Sequence, residues 1–476
     1  DDYAQQKEGD HLAYWNPVRG ISEPIPIRTF QGVYKPDDEG FGLSESLFVD
    51  LENMSPSAFP ALTTRPGYTQ VGKFGTRVLG MGAWKDQELH VVFNDGTWRR
   101  LNSDGTWTQL ATGLNTSAEW TFANFKGNLS GINLIGSNGV DPIKRYDGST
   151  VSNLSGAPSG GNYICTQSNR LYCAVGNEIR FSALNKADDW TTVDDAGSIV
   201  HETNDGETII GLNEGIGHVT VLKPSSIYEL WGKGPTSYRL QPAATDIGVV
   251  ADKAASIHDD IMPFISRDGF YLYQGGVRPE KRFSQAVQSF IRDSNKANLS
   301  KAVTASDGEH IYFSIPYKGN ENDTILQYSP RYQAWYPWTG ISPTHMIRIG
   351  QDLYIGDSTG RVLRLDGDKD NGSPIQWKAV TKPFTAATAA RKQHWFKLYV
   401  VVDLPSGSTM RIYLSPSVRG NDWVLAKTLT TDSDMQFKKI LIPTNSIANA
   451  NAVRIKLEGT GKVTIHEITR QLREMP

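Results

Sequence analysis

From about residue 77 to residue 370, apolar residues come in short runs that mostly alternate with polar ones. Each run stops at a cluster of Gly, Asp or Asn. Alternation with a period of two is the mark of a half-buried strand, and the clusters mark turns. Asp-Gly pairs predict hairpins at Asp95-Gly96, Asp104-Gly105, Asp147-Gly148, Asp205-Gly206, Asp268-Gly269, Asp307-Gly308 and Asp366-Gly367, because both residues tolerate the left-handed backbone of tight turns. A strand–turn–strand unit carrying an aromatic recurs: residues 89–93 (LHVVF) with 97–101 (TWRRL), 269–273 (GFYLY), 311–315 (IYFSI) with 325–328 (ILQY), and 353–356 (LYIG) with 362–365 (VLRL). The spacing, roughly 35–50 residues, is that of a four-stranded propeller blade, and the span holds about six or seven. The units are degenerate and carry no WD or kelch signature, so a β-solenoid or paired long sandwiches stay open as alternatives. Residues 284–299 (SQAVQSFIRDSNKANL) break the pattern. Ala286, Val287, Phe290 and Ile291 have helical spacing, which predicts a helix inserted between blades.

The flanks read differently. In residues 1–65, Pro17, Pro24, Pro26, Pro36, Pro56 and Pro60 forbid a long helix. Tyr14, Trp15, Ile25, Ile27, Phe30, Phe41, Leu47 and Phe48 are nevertheless more apolar content than a disordered tail carries. The expectation is an extended N-terminal arm lying on another surface, with one short helix within residues 41–53. Residues 366–372 (DGDKDNG) read as a polar hinge. Beyond it the runs lengthen, at 396–402, 410–414, 439–442, 453–457 and 463–468, and predict an antiparallel β-sandwich. The predicted organisation is all-β: an arm at 1–65, a degenerate β-propeller at 66–372 and a sandwich at 373–476.

Composition agrees with many short strands and tight turns, since glycine is plentiful at 45 residues and aromatics make up 10%. The net charge of -3 supplies no basic excess to hold nucleic acid. No stretch reaches the roughly 18 apolar residues of a membrane helix. The chain opens at Asp1 rather than Met, which leaves room for a preceding segment. Cys165 and Cys173 are too few for a disulfide framework and read as two buried thiols flanking a hairpin turn, although a bond across that hairpin stays open.

Motifs that could carry chemistry fail on context. Gly356-Asp357-Ser358-Thr359-Gly360 fits G-x-S-x-G, but the strand-like residues 361–365 follow where a nucleophile elbow needs a helix. Residues 67–73 spell G-x-x-x-x-G-K, yet Phe74 stands where a phosphate loop needs Ser or Thr. Asp366, Asp368 and Asp370 have calcium-loop spacing, but Asn371 and Trp377 replace the Gly and Glu such a loop requires. The nine histidines are scattered without ligand spacing. Ser103-Asp104-Gly105-Thr106-Trp107 has the flavour of a sialidase turn without its full pattern. The expectation is no catalysis, no cofactor and no metal. The dense aromatic run Tyr332, Trp335, Tyr336 and Trp338 is read as inter-blade packing with an exposed corner, Trp335 and Trp338 being available to a sugar or a partner chain.

The stretch Leu51-Glu52-Asn53-Met54, followed by Phe59-Pro60-Ala61-Leu62-Thr63-Thr64-Arg65-Pro66-Gly67-Tyr68, resembles the step that leads from a polar arm into a degenerate propeller in structural proteins of tailed bacteriophages. Asn169-Arg170-Leu171-Tyr172, Asn177-Glu178-Ile179-Arg180-Phe181-Ser182, Asp188-Asp189-Trp190 and residues 459–468 look like their blades and terminal sandwich. The resemblance, closest to the propeller-built nozzle or tail tubular proteins of short-tailed phages, implies a subunit of the virion neck or tail. It would form a homo-oligomeric ring, commonly of six, around the DNA exit channel. Its partners would be the head–tail adaptor and other neck, tail or fibre proteins, with DNA met only in transit and no membrane insertion. Tyr14, Trp15, Ile25, Ile27, Phe30, Trp335 and Trp338 are the expected contact residues. The alternative is a carbohydrate-binding or glycoside-cleaving propeller with a lectin-like C-terminal domain.

Overall fold

The computed structural model describes residues 21–475 apart from 39, 204, 205 and 448. Tyr14, Trp15 and Asp205 of the Asp205-Gly206 pair therefore lie outside the described residues. Seven antiparallel sheets follow one another around a ring. Blade 1 is Val78–Trp84, Glu88–Phe93, Trp98–Leu101 and Trp107–Ala111; blade 2 runs from Thr121–Phe125 to Val151–Asn153, blade 3 from Asn162–Gln167 to Gly197–Val200, and blade 4 from Gly211–Glu214 to Arg239–Ala244. Blade 5 has two regular strands, Met262–Ile265 and Phe270–Tyr273. Isolated bridges from Ala255 and His258 inside, and from Glu280 outside, complete it. Blade 6 runs from Val303–Ser306 to Ala334–Trp338. Blade 7 joins Pro343–Ile349, Asp352–Asp357 and Arg361–Leu365 to Tyr68–Lys73, a strand supplied from the other end of the propeller sequence.

That borrowed strand closes the ring. Thr344 Oγ1 of blade 7 donates to the Val78 carbonyl of blade 1 at 3.0 Å. Gly356 stands where a Cβ would meet Val78 Cγ1 at 2.6 Å. Apolar clusters fill the seams: Leu79, Trp98, Trp120 and Leu134 between blades 1 and 2, Cys165, Phe181, Val219 and Leu230 between blades 3 and 4. Burying such side chains is what holds consecutive blades together, at roughly 25 cal/mol per Å² of apolar surface.

The sandwich consists of two sheets of six strands each. One contains Gln393–Leu404, Met435–Ile442 and Thr464–Glu474; the other contains Gln376–Thr381, Thr409–Ser415, Val424–Thr430 and Ala452–Thr460. Their inner faces show the expected alternation, with Leu398, Val400, Val402 and Leu404 buried against Met410, Ile412, Leu414, Ile455 and Leu457.

The arm corrects the sequence reading. Residues 25–64 add strands to both sheets of the chain's own sandwich. Ile25–Ile27 and Leu62–Thr64 pair with Thr464–Glu474, and Phe48–Glu52 pairs with Gln376–Thr381. No helix forms within residues 41–53, because the Phe48–Glu52 backbone finds its partners in the sheet instead. The predicted inserted helix is present in broken form: a 3₁₀ turn at Arg282–Val287, an α-turn at Gln288–Arg292 and a second 3₁₀ turn at Lys296–Lys301. Val287, Phe290 and Ile291 face inward as their spacing requires.

Candidate functional site

The first strands of the seven blades surround a central cavity of about 850 Å³. Its chemistry comes from blade 5, whose irregular inner stretch makes a 3₁₀ turn at Asp252–Ala254. The turn places Lys253 Nζ 2.5 Å from Glu119 Oε1 of blade 2. Asp252 Oδ1 fits into the space left by Gly211, where a Cβ would meet it at 2.4 Å, and it has no hydrogen-bond partner. Burial pushes the Asp252 carboxyl up to about 7. Burial, aided by the nearby Lys253 charge, pushes His345 of blade 7 down to about 3, so its imidazole is neutral at physiological pH. Tyr163 of blade 3 is held at φ 55°, and burial raises its phenol to about 12. Burial raises the lysine-paired Glu119 too, but its charged neighbours, Lys253 foremost with Arg77 behind it, together outweigh that and its pKa falls. Beside this pair, Arg77 and Lys301 both bind Glu321, at 3.0 and 2.6 Å.

These groups form a cross-braced hub. Cys165 also borders the cavity, but burial pushes its thiol well above the usual range, so it is held as the unreactive thiol. None of the hub residues is adjacent in sequence except Asp252 and Lys253, and no motif joins them. Only ring closure brings residues 119, 163, 252 and 345 together, which is why sequence reasoning missed them.

A second cluster sits where the arm, the hinge and blade 6 meet. The Arg65 side chain, 1% exposed, grips Asp370 through both terminal nitrogens at 2.8 and 2.7 Å. Its Nε donates to Asn53 Oδ1 at 2.8 Å, and its remaining N–H groups reach the carbonyls of Pro66 and Thr339. Asn53 is held left-handed at φ 57°. It accepts from the Thr339 N–H at 2.8 Å and donates to the Gln376 carbonyl at 2.8 Å. Gly67 runs so close to the hinge that a Cβ would lie 2.1 Å from the Lys369 carbonyl oxygen. Residues 369–374 form a small hairpin bridged to Tyr68, so the hinge is pinned and Asp370 is committed to Arg65.

The predicted contact residues that are described, Ile25, Ile27, Phe30, Trp335 and Trp338, fall largely inside the molecule. Ile27 and Phe30 are 6% and 1% exposed, within the core shared by arm, sandwich and blades, while Ile25 is half-buried against it. Trp335 and Trp338 are 1% and 0% exposed, and their indole N–H groups donate to the carbonyls of Phe283 and Met54. This corrects the exposed aromatic corner. The cluster does grip another segment, but that segment is the chain's own arm: the Val33 N–H donates to the Trp335 carbonyl, and Phe59 stacks on Tyr332 at 3.9 Å.

The remaining motifs are turns. Asp357 of the G-x-S-x-G stretch accepts from Thr359 and Arg361 in the blade 7 hairpin. Asp104 likewise accepts from the Thr106 N–H and hydroxyl. Residues 68–73 of the G-x-x-x-x-G-K stretch are the closing strand. Cys165 and Cys173 are both free and buried, and they enter different seams. Among the described residues no group of three or more His, Cys, Asp or Glu could hold a metal ion, and no helix is long and apolar enough to cross a membrane.

By its strand pairing the chain is a seven-bladed β-propeller joined to a β-sandwich. No family model and no curated protein matches it. Among solved structures it is similar to virginiamycin B lyase from Staphylococcus aureus, at 10% identity and a TM-score of 0.44, covering 63% of this chain and 97% of that one. It is similar to YCF48 bound to D1 peptide, at 12% identity and a TM-score of 0.43, covering 64% and 100%. It is also similar to the extracellular domain of BT4673 from B. thetaiotaomicron, at 10% identity and a TM-score of 0.45, covering 87% and 63%. At such values neither activity nor partner carries over to this chain.

Proposed function

We propose that this chain is a non-catalytic structural subunit of a bacteriophage neck or tail, assembling into a ring around a DNA exit channel in the virion. The observation that carries the reading is the joint. Each polar or glycine position of the phage-like step Asn53 … Arg65-Pro66-Gly67-Tyr68 has a structural task in fastening arm, sandwich and propeller. Asn53 and Arg65 bridge to Thr339, Gln376 and Asp370, and Gly67 admits the hinge. Those residues are therefore bound to an architecture, which is what a family likeness should reflect. A propeller locked to a sandwich offers a stiff body, and ring subunits need stiffness to close with one geometry. The hub fits the same role, since its Glu119–Lys253 pair crosses the centre of the disc and braces it. The carbohydrate reading rested on Trp335 and Trp338, and their burial removes its motive.

Light scattering and negative-stain imaging of the purified chain, alone and mixed with a phage head–tail adaptor, test the proposal. The expected result is a closed ring in one of the two conditions. A particle of single-subunit mass in both would overturn it.

A further inference from the structure

Blades 4 and 5 leave a cavity of about 370 Å³ between the hairpin turn at 215–217 and the turn at 257–261. That volume lies within the roughly 300–1,000 Å³ of small-ligand sites. Ile261, Met262 and Tyr273 supply apolar lining, and Ile216 and Ile257 stand exposed on the rim. The cavity shares Glu214 and Ile257 with the hub, but Glu119, Asp252, Lys253 and His345 belong to the hub alone.

Three of its sides are fixed by their own contacts. In blade 4 the Gly215 N–H donates to the His218 carbonyl at 2.9 Å. A Cβ on Gly215 would meet His218 Nε2 at 2.4 Å, so only glycine lets the imidazole lie against this turn. In blade 5 the backbones of His258 and Ile261 exchange hydrogen bonds at 2.9 and 3.0 Å, and His258 Nδ1 lies 2.6 Å from Ser306 Oγ of blade 6. On the third side buried Glu229 accepts from Tyr273, from the Gly276 N–H at 2.6 Å and from the Trp231 indole at 2.7 Å, which fixes the Gly275-Gly276 loop. A site built in advance spends no binding energy on ordering its loops.

The charge of the site is one-sided. Glu214, Asp259 and Asp260 line it, all exposed, and no Lys or Arg does. Among the described residues neither these three nor Glu229 forms an ion pair with Lys or Arg. Their ionic contacts are to imidazoles, His258 Nε2 at 3.9 Å from Asp259 and His218 Nε2 at 3.8 Å from Glu229. Lys253 and Arg278, on the segments that enclose the cavity, are committed to Glu119 and Asp246. Acids gathered at the mouth of an apolar hole concentrate cations there.

We infer that this cavity binds a small organic cation, a primary or quaternary amine carried on an apolar body the size of a single ring. The body fills the space between Ile261, Met262 and Tyr273. The cationic group stays at the wet mouth, facing Glu214, Asp259 and Asp260, where it need not be buried. An anionic ligand would be repelled by the same three acids, and a bare metal ion would gain nothing from the apolar walls. The inference goes beyond the ring-forming reading and does not depend on it, so either can fail without the other.

Calorimetric titration of the full chain with 2-phenylethylamine and with benzyltrimethylammonium tests it, with 2-phenylethanol and phenylacetate as the neutral and anionic counterparts. The expected result is saturable one-to-one binding of at least one of the two cations, with a dissociation constant of about 1 mM or tighter. The alcohol should bind about tenfold more weakly, and phenylacetate should not bind. D259N/D260N should weaken the cation about tenfold, and asparagine tolerates the left-handed backbone at residue 259, where φ is 50°. Ile216→Ser, on the opposite loop, should weaken cation and alcohol alike. Both variants change exposed positions, and thermal melting checks that each folds. Failure of both cations to bind saturably would overturn the inference. Equal affinity for amine, alcohol and carboxylate would also overturn it, as would cation affinity unchanged in the folded variants.

Discussion

Gly67 illustrates what one missing methyl group permits. With its Cβ position 2.1 Å from the Lys369 carbonyl, alanine would force the Lys369–Pro374 hairpin away from the arm. Gly67→Ala is expected to cost about 1–3 kcal/mol in urea unfolding, whereas Gly131→Ala, at a position with open space around it and no left-handed backbone, should cost less. Asp252 offers a test with a sign. Its carboxyl titrates near 7 in the folded chain and near 3.9 when unfolded. Between those values the folded state keeps a proton that the unfolded state has released, so stability falls as pH rises from about 4 to 7. Asp252→Asn removes that loss. Its unfolding free energy in urea should match wild type near pH 4 and exceed it above pH 7, by an amount on the order of 1–3 kcal/mol after allowance for screening. An equal difference at both pH values would refute the burial of this carboxyl.

At the scale of elements, the joint is the place where unlike pieces are tied. Arg65 uses its guanidinium on three of them, the arm through Asn53, the hinge through Asp370 and blade 6 through Thr339. Removing one partner of a buried pair leaves the other charge without compensation. Asp370→Ala should therefore destabilise the chain by about 3–5 kcal/mol, read by thermal or urea melting. Arg65→Lys should recover little of an Arg65→Ala loss, because an ammonium cannot reproduce the two-pronged contact. Full recovery by lysine would argue that charge alone, without the fork geometry, holds the joint.

At the scale of the whole molecule, N- and C-terminal regions of the chain share one fold. The arm is part of the sandwich, so deleting residues 21–64 removes strands from both sheets and exposes Ile465, Ile468 and Trp377, which are buried here. The truncated chain is expected to aggregate, seen as loss of soluble protein and dye binding to exposed apolar surface. A soluble, cooperatively melting truncation would show that the arm is dispensable to the sandwich. The propeller is tied in the same way, since Tyr68–Lys73 closes blade 7.

Local sequence determined the strands, the hairpins and the sandwich alternation. Turn residues such as Asp95-Gly96 act through their own backbone preferences, and alternation of Leu398, Val400 and Val402 needs only one buried face to be read. It also determined that residues 284–299 depart from the strand pattern, because helical spacing is visible within a single turn. The tertiary structure alone decided where the arm goes, which aromatics are covered and which charges meet. Trp335 and Trp338 look alike whether they face solvent or the arm, and Asn53, Arg65 and Asp370 become neighbours only when segments 305 positions apart fold together. The hub follows the same logic: a closed ring brings residues from seven separate sheets to one axis, and no local rule can encode that meeting.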